Sequence, residues 1–255
     1  MPMPDNSPLP PWPYPRWIAH RGAGKLAPEN TLAAFRLGAR HGWRMFECDA
    51  KLSSDGVPFL LHDATLERTT NGQGTAGDLP WGALARLDAG AWHSRAYAGE
   101  ALPTLENVVR WCLANGLDLN VEIKPTPGTE DATGRAVASL LARLWPAGRT
   151  APLLTSFQPA ALEGARAAAP ALPRGLLADR LAPGGDDVQT ALALGCQALV
   201  LNHALWDAAL VAHVHGAGLR CLSYTVNDEA AAQRLIGLGT DGIITDRVEF
   251  FCPAD

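Results

Sequence analysis

The sequence predicts a single TIM-type (β/α)8 barrel, and three observations lead to that prediction. The chain has 255 residues, and barrels of this class typically need about 250. Apolar strand patterns alternate with helical patterns from residue 104 to residue 246, an order that implies a parallel sheet covered by helices. Two further strands precede that region, and a total of eight favours closure into a barrel.

An open doubly wound sheet is the alternative fold. Such a sheet usually carries a Gly-rich phosphate loop after its first strand. Here the first strand is followed by HRGAGK and then Leu26, which does not form that loop. The barrel is therefore the preferred fold.

The composition is that of a globular protein with one large core, at 47% hydrophobic and 18% charged residues. A net charge of −5 argues against a nucleic acid or an anionic membrane as partner. The five cysteines are scattered and never form a C-x-x-C pair, which indicates free thiols in a reducing compartment. We therefore expect a cytoplasmic protein, with no segment apolar enough to span a membrane.

The chain divides into an arm and one catalytic domain. Residues 1–16 are rich in proline and predict an extended arm, with Trp12 or Tyr14 as candidate tethers. Residues 17–255 are expected to form a single catalytic barrel. Within it, residues 64–103 are rich in Gly, Thr, Asp and Trp and are too long for an ordinary connection, so we expect an inserted subdomain or a lid.

The individual elements follow from periodicity and from helix-capping residues. Strands are predicted at 17–22, 46–52, 117–124, 151–156, 174–179, 198–203, 220–226 and 242–246. Helices are predicted at 31–41, 104–115, 131–145, 159–169, 186–194, 207–215 and 228–238, with a short helical pattern at 81–87.

The stretch FECDAKLSSDGVPFLLHD predicts a β-hairpin that follows the second strand. Asp55-Gly56 is a strong signal for a two-residue turn. Counting back from that turn places Glu47, Asp49 and His62 on one face, where two carboxylates and an imidazole suit a metal or a substrate charge. A polar ribbon edge with an incidental histidine is the alternative. The predicted register pairs Ser53 with Pro58, Lys51 with Leu60 and Asp49 with His62.

Polar side chains follow the first three barrel strands at their carboxyl ends, where barrel active sites lie. Three carboxylates that converge there would repel one another without a cation, and oxygen ligands suit Mg²⁺ or Ca²⁺ better than zinc. Three carboxylates, one divalent cation and two basic side chains leave one positive charge, which a phosphodiester monoanion would neutralise. Two nearby histidines are candidates for general acid and base. These residues are His20, Arg21, Glu47, Asp49, His62, Glu122 and Lys124.

A series of motifs in the same order resembles the glycerophosphodiester phosphodiesterase family, in its bacterial cytosolic form. They are AHRG (19–22), APENT (27–31), FECD (46–49), DG (55–56), LLHD (60–63), LERTTNGQG (66–74), PTLEN (103–107), NVEIKP (120–125) and DGIITDR (241–247). The resemblance implies a metal-dependent α/β barrel. It also implies hydrolysis of a small-molecule glycerophosphodiester to sn-glycerol 3-phosphate and an alcohol.

The resemblance also implies roles for individual residues. It makes Glu47, Asp49 and Glu122 the ligands of one Mg²⁺ or Ca²⁺ ion and His20 and His62 the catalytic pair. It places Arg21 and Lys124 against the phosphate, and Glu29 and Tyr224 in the substrate-binding set, with Glu29 and Asn30 shaping the first loop. Tyr224 stands where the family often has Trp, and Gln158 after SF is a second departure, so headgroup preference stays open.

Two other functions are compatible with these motifs. One is a lysophospholipase D-like activity in the same superfamily, which would need an apolar groove or a membrane-docking segment. The other is a non-catalytic barrel that binds phosphodiesters, whose mark would be a missing catalytic residue. The sequence leaves open the choice between Mg²⁺ and Ca²⁺, the nucleophile, the oligomeric state, and which histidine is the acid.

Overall fold

The computed structural model describes residues 11–182 and 187–251. Its strands are β1 (Trp17–Ala19), β2 (Met45–Leu52), β3 (Pro58–Leu60), β4 (Asp118–Ile123), β5 (Leu153–Ser156), β6 (Arg174–Ala178), β7 (Ala198–Asn202), β8 (Arg220–Tyr224) and β9 (Gly242–Thr245). Its α-helices are α1 (Leu32–Arg40), α2 (Trp81–Leu84), α3 (Leu105–Asn115), α4 (Glu130–Leu144), α5 (Pro159–Ala168), α6 (Asp187–Ala193), α7 (Ala208–Gly216) and α8 (Glu229–Leu238).

Eight parallel strands close into a barrel, which confirms the predicted fold class. The order around the barrel is β1, β2, β4, β5, β6, β7, β8, β9, and then β1 again. Closure depends on β1, which pairs with β9 through Trp17 and Ile243 and with β2 through Ala19 and Phe46. The open doubly wound sheet is excluded because β1 lies between the second and the last strand.

Among the strands, the boundaries differ most at the first. β1 ends at Ala19, three residues before the predicted end at residue 22. Arg21 and Gly22 have left-handed backbone, with φ of 51° and 98°, and an extended strand cannot continue through such residues. The segment that was expected to be strand is instead a tight loop at the mouth of the barrel.

The hairpin of β2 and β3 forms, but the predicted register is wrong by one residue. Lys51 lies opposite Phe59 rather than Leu60, and the backbone N–H of Leu61, rather than His62, reaches the carbonyl of Asp49 at 3.1 Å. The loop has three residues instead of two, because Ser53 N–H already bonds Val57 O at 3.1 Å. Gly56, with φ of 82°, closes this loop in the left-handed conformation.

A plug of aromatic residues fills the amino-terminal mouth of the barrel. Tyr14 is 7% exposed and packs on the inward-facing residues of the strands, with Trp12 beside it. The Tyr14 hydroxyl donates to Ala151 O at 2.7 Å, just before β5. The rest of the predicted proline-rich arm, residues 1–10, lies outside the described residues. The other mouth, at the carboxyl ends of the strands, is therefore the one that can receive a ligand.

The segment between β3 and α3 has a small apolar core of its own. Leu66, Ala76, Leu84 and Leu102 pack on Phe59 of β3. The segment is therefore held against the β2–β3 hairpin. The helix predicted at 81–87 is shorter and ends at Leu84. The division of the chain into an arm, a barrel and an insertion stays a prediction. Among the described helices, none is long and apolar enough to cross a membrane.

Candidate active site

Three carboxylates meet inside the carboxyl-terminal mouth of the barrel. Alternate residues of β2 pack outward against the helices, so Glu47 and Asp49 point inward. Asp49 is the register partner of Glu122 on β4, and the same alternation turns Glu122 inward. One oxygen of each carboxylate lies within 4.8 Å of the others. The sequence-predicted ligand set is therefore brought together.

Electrostatic strain marks this cluster. Burial, and then the charges of Asp49 and Glu122, raise the pKa of Glu47 well above its usual value. Burial, and then the charge of Asp49, raise the pKa of Glu122 to about 7. Burial opposes ionisation of Asp49 as well, but the charges of Arg21 and Lys124 hold its pKa below the usual range. One buried oxygen, Glu47 Oε1, has no hydrogen-bond partner among the described residues. A hard divalent cation, which prefers carboxylate oxygens, fits this donor set.

A second group of metal-ligand types has a different character. His215, Cys221 and Asp241 also lie within 4.8 Å of one another, near the amino-terminal ends of β8 and β9. There the Asp241 carboxylate accepts hydrogen bonds from Arg220 NH1 at 2.7 Å and Cys221 N at 2.8 Å, and contacts His215 Nε2 at 2.8 Å. Both carboxylate oxygens of Asp241 already have hydrogen-bond partners. We therefore interpret this group as a structural contact between neighbouring elements and not as a metal site.

The loop between β1 and α1 wraps around the carboxylates. Arg21 N–H donates to Glu47 Oε2 at 3.0 Å, and its Nε lies 3.3 Å from Asp49 Oδ2. Asn30 bonds Asp49 twice, from Nδ2 to Oδ2 at 2.8 Å and from the Asp49 N–H to its own Oδ1 at 3.0 Å. Arg21 and Asn30 are the two described non-glycine residues with positive φ. Such backbone persists where the surroundings fix it, and it is frequent at functional sites.

His20 follows β1 and is held by the residue that follows the last strand. Its Nδ1 lies 2.6 Å from Asp246 Oδ1, and its Nε2 lies 3.8 Å from Glu47 Oε2. Asp246 in turn accepts from Asn227 Nδ2 at 2.8 Å. A histidine that donates Nδ1–H to a carboxylate presents Nε2 to its surroundings. His20 therefore aims Nε2 at the carboxylate cluster.

His62 comes just after β3 and is held by its neighbour in sequence. Its Nδ1 lies 2.7 Å from Asp63 Oδ1, and Arg68 Nε donates to Asp63 Oδ2 at 2.6 Å. The hydrogen bond from Arg68 keeps the pKa of Asp63 well below its usual range. Burial lowers the pKa of His62, although the charge of Asp49 opposes that change. His62 is thus within electrostatic range of the cluster, despite the shifted hairpin register.

A cavity of about 260 Å³ adjoins the cluster and includes Glu122, Lys124, Phe157 and Gln158 in its lining. Lys124 Nζ donates to Glu122 Oε1 at 2.6 Å and lies 3.7 Å from Asp49 Oδ1. The same ammonium lies 5.4 Å from the centre of the Phe157 ring, a cation–π distance.

Tyr224 and Glu29, the other predicted substrate-binding residues, are both engaged within the protein. The Tyr224 ring stands perpendicular to Phe157 at 5.7 Å, and its hydroxyl donates to Ala178 O at 3.0 Å. Glu29 accepts from Arg21 NH1 at 2.8 Å and from Arg68 at 2.8 Å. Tyr224 can therefore offer a ligand its ring, while Glu29 orients Arg21.

Three residues of this site, Asp63, Arg68 and Asp246, were not among the predicted site residues. Asp63 had a local signal, because a carboxylate directly after a histidine can hold its Nδ1. Asp246 lies at the end of the last barrel strand, which is next to the first strand once the barrel is closed. Arg68 had no signal beyond its place in a motif.

The fold and the position of the carboxylate cluster define the class of protein: a (β/α)8 barrel with its polar centre at the carboxyl ends of β1, β2 and β4. Residues 20–250 match the model of the glycerophosphoryl diester phosphodiesterase family, and the chain belongs to that family.

Individual relatives agree over almost the whole chain. A glycerophosphodiester phosphodiesterase of Caldanaerobacter subterraneus subsp. tengcongensis is 33% identical over 241 residues, which are 91% of this chain and 94% of that protein. A phosphodiesterase structure from Oleispira antarctica, in complex with the product sn-glycerol-3-phosphate, has a TM-score of 0.85 and 35% identity, covering 91% of this chain and 93% of that one. A glycerophosphodiester phosphodiesterase structure from Agrobacterium tumefaciens has a TM-score of 0.78 and 26% identity, covering 94% and 99%.

Proposed function

We propose that the protein hydrolyses glycerophosphodiesters to sn-glycerol 3-phosphate and an alcohol. The observation that carries this proposal is a buried carboxylate cluster that His20, Arg21 and Lys124 contact. The charge of His62, the second carboxylate-held histidine, acts on Asp49. Family membership supports the reaction class. The product bound in the Oleispira structure supports the identity of the phosphate-containing product.

Glu47, Asp49 and Glu122 are the residues that would hold one Mg²⁺ or Ca²⁺ ion. The unpartnered Glu47 Oε1 and the all-oxygen donor set support this assignment. A bound divalent cation would polarise a phosphoryl oxygen and compensate the charge that develops on it.

Arg21 and Lys124 bind the phosphate in this proposal. Both already neutralise the carboxylates, with Arg21 on Asp49 at 3.3 Å and Lys124 on Glu122 at 2.6 Å. Because both are held at the edge of the cluster, their remaining donors can reach phosphate oxygens without a large rearrangement. They contribute binding that every phosphodiester shares.

His20 and His62 move the protons. With Nδ1 bonded to a carboxylate, each ring keeps the tautomer in which Nε2 faces the substrate. The neutral ring accepts a proton there from the attacking nucleophile, and the protonated ring donates one to the leaving alcohol. The two roles are distinguished by leaving group: the variant that lacks the acid should lose less activity on a p-nitrophenyl ester than on an alkyl ester. Near-normal rates for both His20→Ala and His62→Ala would contradict this mechanism.

The function is tested by incubating the purified protein with glycerophosphocholine, with and without chelator, and assaying for glycerol 3-phosphate. We expect release that chelator abolishes and that Mg²⁺ or Ca²⁺ restores. Release of glycerol and phosphocholine would reverse the assignment of the broken bond. Parallel incubation with lysophosphatidylcholine tests for a lysophospholipase D-like activity. If neither substrate is turned over, the alternative of a non-catalytic barrel that binds phosphodiesters is favoured.

A further inference from the structure

Arg68 lies in the segment between β3 and α3 and grips two carboxylates with one guanidinium. Its Nε and NH2 donate to the two oxygens of Asp63 at 2.6 and 3.0 Å. Its NH1 and NH2 donate to the two oxygens of Glu29, both at 2.8 Å. Both contacts are bidentate, an arrangement that adds geometric specificity as well as attraction.

Each of these carboxylates holds a residue of the proposed machinery. Asp63 Oδ1 lies 2.7 Å from His62 Nδ1, and Glu29 Oε1 accepts from Arg21 NH1 at 2.8 Å. Arg68 is therefore linked to His62, the proposed proton-transfer residue, through Asp63. It is linked to Arg21, the proposed phosphate-binding residue, through Glu29.

A cation between Asp63 and Glu29 stabilises both carboxylates. Asp63 and Glu29 both bond the same NH2 atom, so without the guanidinium the two carboxylates would repel each other. Their side chains are 27% and 13% exposed, so water screens that repulsion only partly. An ammonium would neutralise the charge, but it lacks the planar fork that fixes four oxygens.

We propose that Arg68 is a positioning residue that orients His62 through Asp63 and Arg21 through Glu29. The proposal deepens the proposed function and rests on it, because it concerns the orientation of groups that act on the phosphodiester. It assigns a role in the site to a segment that lies outside the barrel strands.

The deciding variant is Arg68→Lys, which keeps the positive charge and removes the fork. We expect kcat on glycerophosphocholine to fall about 10–100-fold, the usual cost of losing a partner that orients a site residue, with a rise in KM. The matched control is Arg110→Ala, which removes an exposed helix arginine paired with Glu106 at 2.7 Å and should leave both constants unchanged. The metal-induced rise in Tm should be the same in all three proteins, since the described bonds of Arg68 are to Glu29 and Asp63.

The path through Asp63 to His62 and the path through Glu29 to Arg21 should affect different kinetic constants. Asp63→Asn should mainly lower kcat and Glu29→Gln should mainly raise KM. Adding Arg68→Lys to Asp63→Asn should lower kcat by less than a further twofold. The reason is that Asp63→Asn alone already removes the carboxylate through which Arg68 orients His62. Millimolar methylguanidinium should restore part of kcat to Arg68→Ala, whose removed side chain is 44% exposed, whereas methylammonium should not.

Three results would overturn the proposal: wild-type kcat and KM in Arg68→Lys, full additivity with both partner variants, or loss of the metal-induced shift in Arg68→Lys, which would indicate general disruption. If Arg68→Ala does not fold, Arg68→Lys alone decides. Absence of glycerol 3-phosphate release by the wild-type protein is a separate result, and it would remove the proposed function instead.

Discussion

At the scale of single residues, the three carboxylates repel one another and place one oxygen each within 4.8 Å of the others. Burial and mutual repulsion raise the pKa values of Glu47 and Glu122, and such groups favour any ligand that brings positive charge. The free energy of ion binding should therefore appear as folding stability.

Glu47→Gln tests this coupling. Glutamine has nearly the same shape and removes one of three negative charges, so the Tm of the metal-free variant should equal or exceed that of the metal-free wild type. The wild type should gain about 2.7 kcal/mol at a metal concentration of 100 Kd, and the variant should lose most of this gain together with activity. Thermal unfolding with and without Mg²⁺ or Ca²⁺ measures both effects. An undiminished metal-induced shift in the variant would remove Glu47 from the ligand set.

Tyr224 separates the contribution of a ring from that of a hydroxyl. Its hydroxyl donates a hydrogen bond to Ala178 O at 3.0 Å, while its ring stands against Phe157, which lines the cavity. Tyr224→Phe should therefore keep kcat/KM within about threefold and cost about 1 kcal/mol of stability, the usual value of one hydrogen bond. Tyr224→Ala should raise KM. A loss of kcat/KM in Tyr224→Phe as large as that in Tyr224→Ala would give the hydroxyl a direct contact with substrate.

At the scale of elements, the β1–α1 loop depends on the close approach of Gly24 to the backbone of Asp246. A Cβ at Gly24 would lie 2.0 Å from Asp246 O, and Gly24 has φ of 55°. Asp246 holds His20, so any shift of this contact reaches the proposed catalytic pair.

Gly24→Ala should lower both stability and kcat, because the loop or Asp246 must move. The matched control is Gly56→Ala in the hairpin loop, where φ is 82° and no heavy atom lies within 4 Å of the added Cβ. The control should share the backbone penalty of about 1 kcal/mol and keep kcat. Denaturant titration and steady-state kinetics of the two variants measure the difference. Equal kcat in both would show that the contact with Asp246 does not position His20.

The elements differ in how far the sequence alone predicts them. The helices and barrel strands were predicted because apolar periodicity is a local signal. The hairpin register was not, because Asp55-Gly56 fits a two-residue and a three-residue loop equally well. Contacts with the following segment accompany the observed loop: Trp81 N–H bonds Asp55 Oδ1 at 2.8 Å, and Ser54 N–H bonds Leu79 O at 3.0 Å. Such distant partners cannot be read from the turn itself.

The site shows the same division between local and distant information. Motifs at strand ends predicted the three carboxylates, because parallel strands bring their carboxyl ends to one mouth. The partners that hold the histidines escaped prediction where they are distant, as Asp246 is from His20, 226 positions away. Charge pairing over such distances has no sequence periodicity, so only the closed barrel reveals it.

At the scale of the whole molecule, the two mouths of the barrel have separate tasks. Tyr14 is buried at the amino-terminal mouth, away from the carboxylates. Tyr14→Ala should cost about 3–5 kcal/mol of stability, as large-to-small changes of buried aromatic residues do, and leave kcat unchanged below the unfolding transition. Denaturant titration and kinetics at low temperature measure the two quantities. A fall in kcat with an intact fold would connect the plug to the site.

The pairing of His20 with Asp246 has a consequence for biosynthesis. One member of the pair leaves the ribosome long before the other, since 226 positions separate them. A nascent chain that still lacks β9 has neither the carboxylate for His20 nor the strand that closes the ring on β1. We therefore expect hydrolytic competence to appear only once β9 and Asp246 have been synthesised, and a copy cut before β9 should be inactive rather than partly active.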